Sequence, residues 1–185
     1  QAHFGIAADI ATYSKIVGGG LPLSVIAGTS RFMNHIAGGP WQFGDNSSPQ
    51  VPTTFFAGTF CKHPLSLAAA HAVLSHLKAE GPALQAELTQ KTKALVKRLN
   101  MFTDSADIPV KFTQFGSFFA IALTQSQLTP LATTLLSYHL LNHGIHLRGG
   151  DKGGFLSTAH TTDDIEAIYR AFQEGLRTLR EVGYV

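Results

Sequence analysis

The stretch Asp9-Ile-Ala-Thr-Tyr-Ser-Lys-Ile-Val-Gly-Gly-Gly-Leu-Pro, residues 9–22, decides how the rest of the chain is read. A short apolar run at 10–13 and another at 24–27 are bounded by glycines and read as strands flanking a loop from Ser14 to Leu23. Lys15 stands where the first strand runs into Gly18, Gly19 and Gly20, so a primary amine on a rigid support lies beside backbone that carries no side chains. That arrangement suits a large planar ligand. The same pattern also describes a solvated loop lysine, and a glycine run alone is a weak phosphate-loop signal. A Walker A nucleotide loop is disfavoured, because Lys15 precedes the glycines and no Gly-Lys-Ser/Thr follows.

Working outward, residues 38–54 are rich in Gly and Pro and read as a long loop of the functional or interfacial kind. Pro64 sits at a first helical position, and Gly81 stops that helix. Pro82 opens a second helix with Leu84, Leu88, Leu95 and Leu99 as its buried stripe. Lys91, Lys93, Lys97 and Arg98 form its solvated face, with Glu87 placed to pair with Lys91. Strand-like runs follow at 110–115 and 117–123, then a helix capped by Thr129-Pro130 that ends near Asn142. Short strands are expected at 145–147 and 155–156 around a Gly-rich turn at 149–154. Thr161 and Asp164 form a capping-box pair that starts the last helix. The elements divide into two regions, 1–76 and 77–185, the first like the tail of a larger α/β domain and the second a small α+β layer.

Composition narrows the classes. The 185 residues are 44% hydrophobic and only 14% charged, against about 25% charged in an ordinary soluble domain. A charge-poor chain is expected to have much of its surface covered by a partner subunit or by further polypeptide. A net charge of +2, without blocks of like charge, excludes the electrostatic footprint of a nucleic-acid binder. A single cysteine, Cys61, cannot make an internal disulfide, which points to a reducing, cytoplasmic home, and the thiol is expected to be buried. Residues 112–147 contain no Asp, Glu, Lys or Arg, yet Gln, Asn, Pro and His interrupt them too often for a membrane span. The opening Gln1-Ala2-His3-Phe4 has neither an initiator Met nor a signal-peptide pattern, so a longer parent is expected.

Three stretches, taken in order, resemble one family. Lys15-Ile-Val-Gly-Gly-Gly-Leu-Pro is similar to the cofactor-lysine motif of the class III, glutamate-1-semialdehyde-aminotransferase-like, pyridoxal-phosphate enzymes. Phe56-Ala-Gly-Thr-Phe-Cys-Lys-His-Pro resembles that family's Gly-Thr segment, and Gly154-Phe-Leu-Ser-Thr-Ala-His-Thr-Thr-Asp-Asp-Ile its C-terminal strand and helix start. The resemblance implies an α/β, fold type I transferase, represented here by a C-terminal fragment: the end of the large domain and the α+β small domain. It implies pyridoxal 5'-phosphate as cofactor, Lys15 as covalent tether and proton carrier, and Gly58 and Thr59 at the cofactor phosphate. In the family the threonine reaches the phosphate of the neighbouring subunit, which implies a homodimer. The family's carboxylate for the pyridine nitrogen and its Gly/Ser phosphate loop lie upstream of the lysine, so this chain is expected to hold part of a site and to be inactive alone.

Within the family, Trp41-Gln-Phe-Gly-Asp-Asn-Ser-Ser-Pro, the segment 53–64 and Phe115-Gly-Ser-Phe-Phe look like the aminotransferase domains of hybrid peptide-synthetase/polyketide-synthase assembly lines. That subgroup implies an amino acid donor and a β-keto acyl thioester acceptor on a carrier protein. A free-standing class III aminotransferase, a glutamate-1-semialdehyde 2,1-aminomutase and a non-catalytic dimerisation or docking module remain the alternatives. Two departures bear on the substrate. His63-Pro64 replaces the family's frequent Asn-Pro, and residues 148–154 lack an aromatic-acidic pair.

No metal is expected. His139 and His143 have the spacing of a zinc pair, with His146 near, but Leu140 stands where a zinc-protease motif needs Glu, and no Asp or Glu lies between 112 and 147. Helix-face histidines are the simpler reading, and His160 is read as structural support.

Overall fold

The computed structural model describes residues 1–147 and 153–185; most of the expected turn at 149–154 lies outside the described residues. The chain forms two compact units, Gln1–Glu80 and Gly81–Val185.

The first unit begins with an antiparallel hairpin of β1 (Ile10–Ser14) and β2 (Ser24–Gly28), in register from Ile10 opposite Gly28 to Ser14 opposite Ser24. The two serine hydroxyls hydrogen-bond at 3.1 Å where the hairpin opens into its loop. Helix α1 (Ser30–Ala37) follows. Sequence reading overlooked it, although Thr29 at its start and left-handed Gly38 at its end are ordinary boundary residues. The chain from 38 to 63 is irregular and tied back to α1: the Trp41 indole donates to the Ala37 carbonyl at 2.5 Å, and the Thr54 amide to the His35 carbonyl at 2.7 Å. Helix α2 (Pro64–Glu80) completes the unit. Of its 80 residues only Gly18, Gly38, Ser66 and Ala70 are buried, and Phe43 and Phe55 are more than nine-tenths exposed.

The second unit has a core. Helix α3 (Pro82–Ser105) leads into the antiparallel strands β3 (Phe112–Phe115) and β4 (Phe118–Ile121), then α4 (Pro130–Asn142), β5 (Gly154–Phe155) and α5 (Thr162–Glu181). The sheet order is β3-β4-β5. Residues 145–147, expected as a strand, have no strand partner among the described residues. At the free edge of β3 the Asn100 side chain does the work of a further strand. Its carboxamide nitrogen donates to the Phe112 carbonyl at 3.0 Å, and its oxygen accepts from the Phe112 amide at 2.8 Å. Leu95 and Leu99 of α3, Phe119 of β4, Leu136 of α4 and Phe172 and Leu176 of α5 meet in the interior. The Phe172 ring packs edge-on to Phe112 at 5.2 Å.

On α3, Lys91, Lys93 and Lys97 face solvent as expected. Arg98 pairs with Glu166 at 2.7 Å and stacks 4.0 Å above the Tyr169 ring. No helix among the described residues is long and apolar enough to cross a membrane. The capping box forms as read: the Thr161 hydroxyl accepts from the Asp164 amide at 3.2 Å, and the Asp164 carboxylate accepts from the Thr161 amide at 2.8 Å.

Two outcomes follow from this packing. Leu176 is fully buried, so Leu176→Ala should lower the urea-unfolding free energy by about 3 kcal/mol, whereas Leu141→Ala at a half-exposed position should stay within about 0.5 kcal/mol. The hydrogen bonds from the Thr161 hydroxyl and amide hold the Asp164 carboxyl below its ordinary value. A depressed folded-state value means that the stabilisation is present above the unfolded carboxylate pKa and is lost as pH falls through the folded one. Far-UV circular dichroism below about pH 4 should therefore show acid loss of helix in the parent, with a smaller pH dependence in Asp164→Asn.

Candidate functional site

The hairpin loop carries the lysine. Ser14 ends β1 in extended conformation, and Lys15 opens a 3-10 turn, Lys15–Gly18, with φ of +61°. A side chain with a Cβ is strained in this left-handed region by roughly 1 kcal/mol; such strain concentrates at functional positions. The glycines behind it serve separate ends. Gly18 is buried under Leu23, while Gly19 has φ of +59° and lies so close to α2 that a Cβ would come 3.0 Å from the Val73 side chain. The lysine turn is thus seated on α2 through a residue that can only be small.

Lys15, Gly58 and Thr59, the three site residues singled out in the sequence, line one open cleft of about 1340 Å³, although 43 residues separate Lys15 from Gly58. Ser14, Gly20, Ile26, Phe56, Phe60, Cys61 and Lys62 share its wall. A Cβ at Gly20 or Gly58 would meet nothing within 4 Å, so free space adjoins the backbone at both. Cys61 is exposed here, contrary to the buried thiol expected, because the segment 56–62 lies along the surface of the cleft.

Lys62 went unremarked in the sequence. It shares with Lys15 both the cleft wall and a left-handed backbone, φ +62°. With two lysines and no Asp or Glu among its described lining residues, the cleft carries net positive charge. A primary amine, a hydroxyl, apolar walls and a positive field fit a planar aromatic aldehyde bearing a phosphate. The carboxylate that would pair with a pyridine nitrogen is not among these lining residues.

Thr59 does not cap α2. As a helix cap it would have to sit directly before α2, but that position belongs to His63. The His63 carbonyl accepts from the Leu67 amide at 3.0 Å, and its Nδ1 accepts from the Ser66 amide at 3.3 Å. His63 therefore performs the capping expected of Asn at this point, and Thr59 is left exposed on the cleft wall. His160 is structural as read: its Nδ1 accepts from the Ser157 amide at 3.0 Å and closes the turn before α5.

Comparison with known proteins agrees with this geometry. The family model described as aminotransferase class III matches residues 1–172. A glutamate-1-semialdehyde 2,1-aminomutase of Ruminiclostridium cellulolyticum is 31% identical over 188 residues, covering 95% of this chain and 40% of the relative. Among solved structures, one described as a transaminase with PLP bound superposes with a TM-score of 0.78 at 24% identity, covering 100% of this chain and 41% of its own. An omega-transaminase from Sphaerobacter thermophilus gives 0.77 at 25% identity, covering 97% of this chain and 41% of its own. The chain spans about 40% of the length of the curated relatives it matches. It belongs to the class III aminotransferase family, whose cofactor is pyridoxal phosphate, and its α/β architecture is that of the fold type I transferases.

The His63 cap makes its own prediction. His63→Ala should cost α2 about 1 kcal/mol, and His63→Asn should recover most of it. Hydrogen exchange of the Ser66 and Leu67 amides measures both.

Proposed function

We propose that this member of the class III aminotransferases serves a pyridoxal-phosphate-dependent amino-group transfer in which Lys15 is the covalent holder of the cofactor. The observation that carries the reading is the placement of Lys15, on its left-handed turn, at an open, positively charged cleft. Bound there, the cofactor supplies an aldehyde for attachment and a pyridine ring that accepts an electron pair from the substrate carbon.

The chain's own residues do the rest. The Lys15 amine tethers the cofactor and, once displaced by the substrate amine, takes up and returns the proton at the substrate carbon. The seat of its turn on Gly19 and α2 fixes the backbone that carries the amine, which lessens the freedom to be lost before proton transfer. Gly58 offers backbone without a side chain, and Thr59 a hydroxyl, to a cofactor phosphate, that of a neighbouring copy as the resemblance implies, with Lys62 adding charge. The little-buried first unit, with Phe43 and Phe55 exposed, supports a parent in which a second copy or further polypeptide covers this surface and completes the site. On that reading the 185 residues alone do not turn over substrate.

For the substrates we infer an amino acid donor and a β-keto acyl thioester on a carrier protein. Support comes from the stretches 41–49, 53–64 and 115–119, which resemble aminotransferase domains of assembly lines. A second reading, a 2,1-aminomutase acting on a free amino aldehyde, is favoured by the names of the curated relatives. Carrier or condensation domains flanking this segment in its polypeptide would favour the first.

Borohydride reduction of the pyridoxal-phosphate-loaded polypeptide carrying this chain should place the pyridoxyl label on the peptide containing Lys15. Lys15→Ala should abolish the label and lower amino transfer by at least about a thousandfold. A label on Lys62 instead, or one that survives Lys15→Ala, would overturn the assignment.

A further inference from the structure

Outside the cleft, three ligand-type side chains meet on the seam between α4 and α5. His139 and His143 lie one turn apart at the end of α4, and Glu174 projects from α5. One donor atom from each lies within 4.8 Å of the others. The two imidazole rings are 4.2 Å apart and inclined by 30°. The absence of Asp and Glu between 112 and 147 argues against a metal from the sequence alone, but the carboxylate arrives from 31 residues farther along.

The hydrogen bonding defines what the cluster lacks. His143 Nδ1 is 2.8 Å from the His139 carbonyl, which can only accept, so Nδ1 carries the hydrogen. In the neutral ring, Nε2 is then a lone pair, and it stands 3.4 Å from a carboxylate oxygen of Glu174. Two acceptors in apposition require a cation or a proton between them. His139 Nε2 is buried and has no hydrogen-bond partner, a costly condition for a polar atom.

The surroundings hold the rings in this posture. A Cβ at Gly175 would come 2.7 Å from His139 Cδ2 and 2.8 Å from Leu136, so only glycine lets α5 lie against the imidazole.

We propose that His139, His143 and Glu174 form a site for a divalent transition-metal ion of the Zn²⁺ type, with water in the remaining coordination position. Two neutral imidazoles and one carboxylate are a common zinc donor set. The bond from His143 Nδ1 to a backbone carbonyl is the outer-shell contact that orients a ligating histidine. An ion here joins α4 to α5 across the seam, none of its three donors lines the cleft of Lys15, and the proposal stands apart from the aminotransferase reading.

Titration of ZnCl₂ into the full, chelator-stripped chain, followed calorimetrically and by thermal unfolding, tests it. The parent should bind one equivalent and unfold at a higher temperature with Zn²⁺. His143→Ala and Glu174→Gln, with side chains 38% and 58% exposed and outside the core, should each weaken binding at least about tenfold and abolish the thermal shift. His76→Ala, which removes an exposed histidine paired with Glu80, controls for adventitious uptake and should bind as the parent does. The proposal is overturned if the parent takes up no Zn²⁺, or if both seam variants bind it as tightly as the parent; a shared proton would then account for the cluster.

Discussion

The proposed role of Lys15 rests on a backbone constraint: a left-handed turn set on α2 by Gly19, whose added Cβ would crowd the Val73 side chain. A catalytic amine must be presented in a narrow range of positions, yet a lysine side chain has four rotatable bonds and large rotamer entropy. Fixing the Cα where a strand ends and a tight turn begins removes the backbone share of that freedom. The local strain is tolerated because the hairpin register and the Gly19 contact with α2 determine the turn from both sides.

The two units divide the labour unevenly. The second owns a contiguous apolar core in which Leu99 and Leu176 are fully buried, and its sheet edge is closed by Asn100. The first presents Lys15 but buries almost nothing. In the hydrophobic bookkeeping of folding, a unit with so much exposed aromatic surface gains little from its own packing. That imbalance agrees with a chain that spans some 40% of its relatives, and with the low charge that made the sequence unusual at the outset.

Local signals were the legible part of the sequence. The Thr161/Asp164 box, the Thr129-Pro130 start and the prolines opening α2 and α3 gave boundaries that the structure keeps, because each rests on interactions within one turn. The motif residues Lys15, Gly58 and Thr59 were legible by resemblance, and their sharing of one cleft is a tertiary fact. What was missed has physical reasons. Helix α1 is only eight residues long and its apolar Phe32, Met33 and Ile36 are no more than half-buried, so its periodic signal is short; 145–147 is apolar enough for a strand but finds no partner among the described residues; and Cys61 resembles a core residue by type while its segment runs along a surface.

The α4–α5 seam shows why side-chain clusters are harder to read than elements. A helix places His139 and His143 together by its own period, so half of the donor set is visible as i, i+4 spacing. The carboxylate comes from a different helix, and its arrival depends on the packing of α4 on α5, which in turn depends on Gly175 admitting the imidazole. A rule that looks for the acid within the same helix therefore does not see the third side chain. The decisive quantity is the polar balance of the packed seam: one buried ring nitrogen without a partner and one lone pair facing a carboxylate. The buried nitrogen is the costly one, since the facing pair is partly exposed, and under the proposal a single cation draws the three groups together.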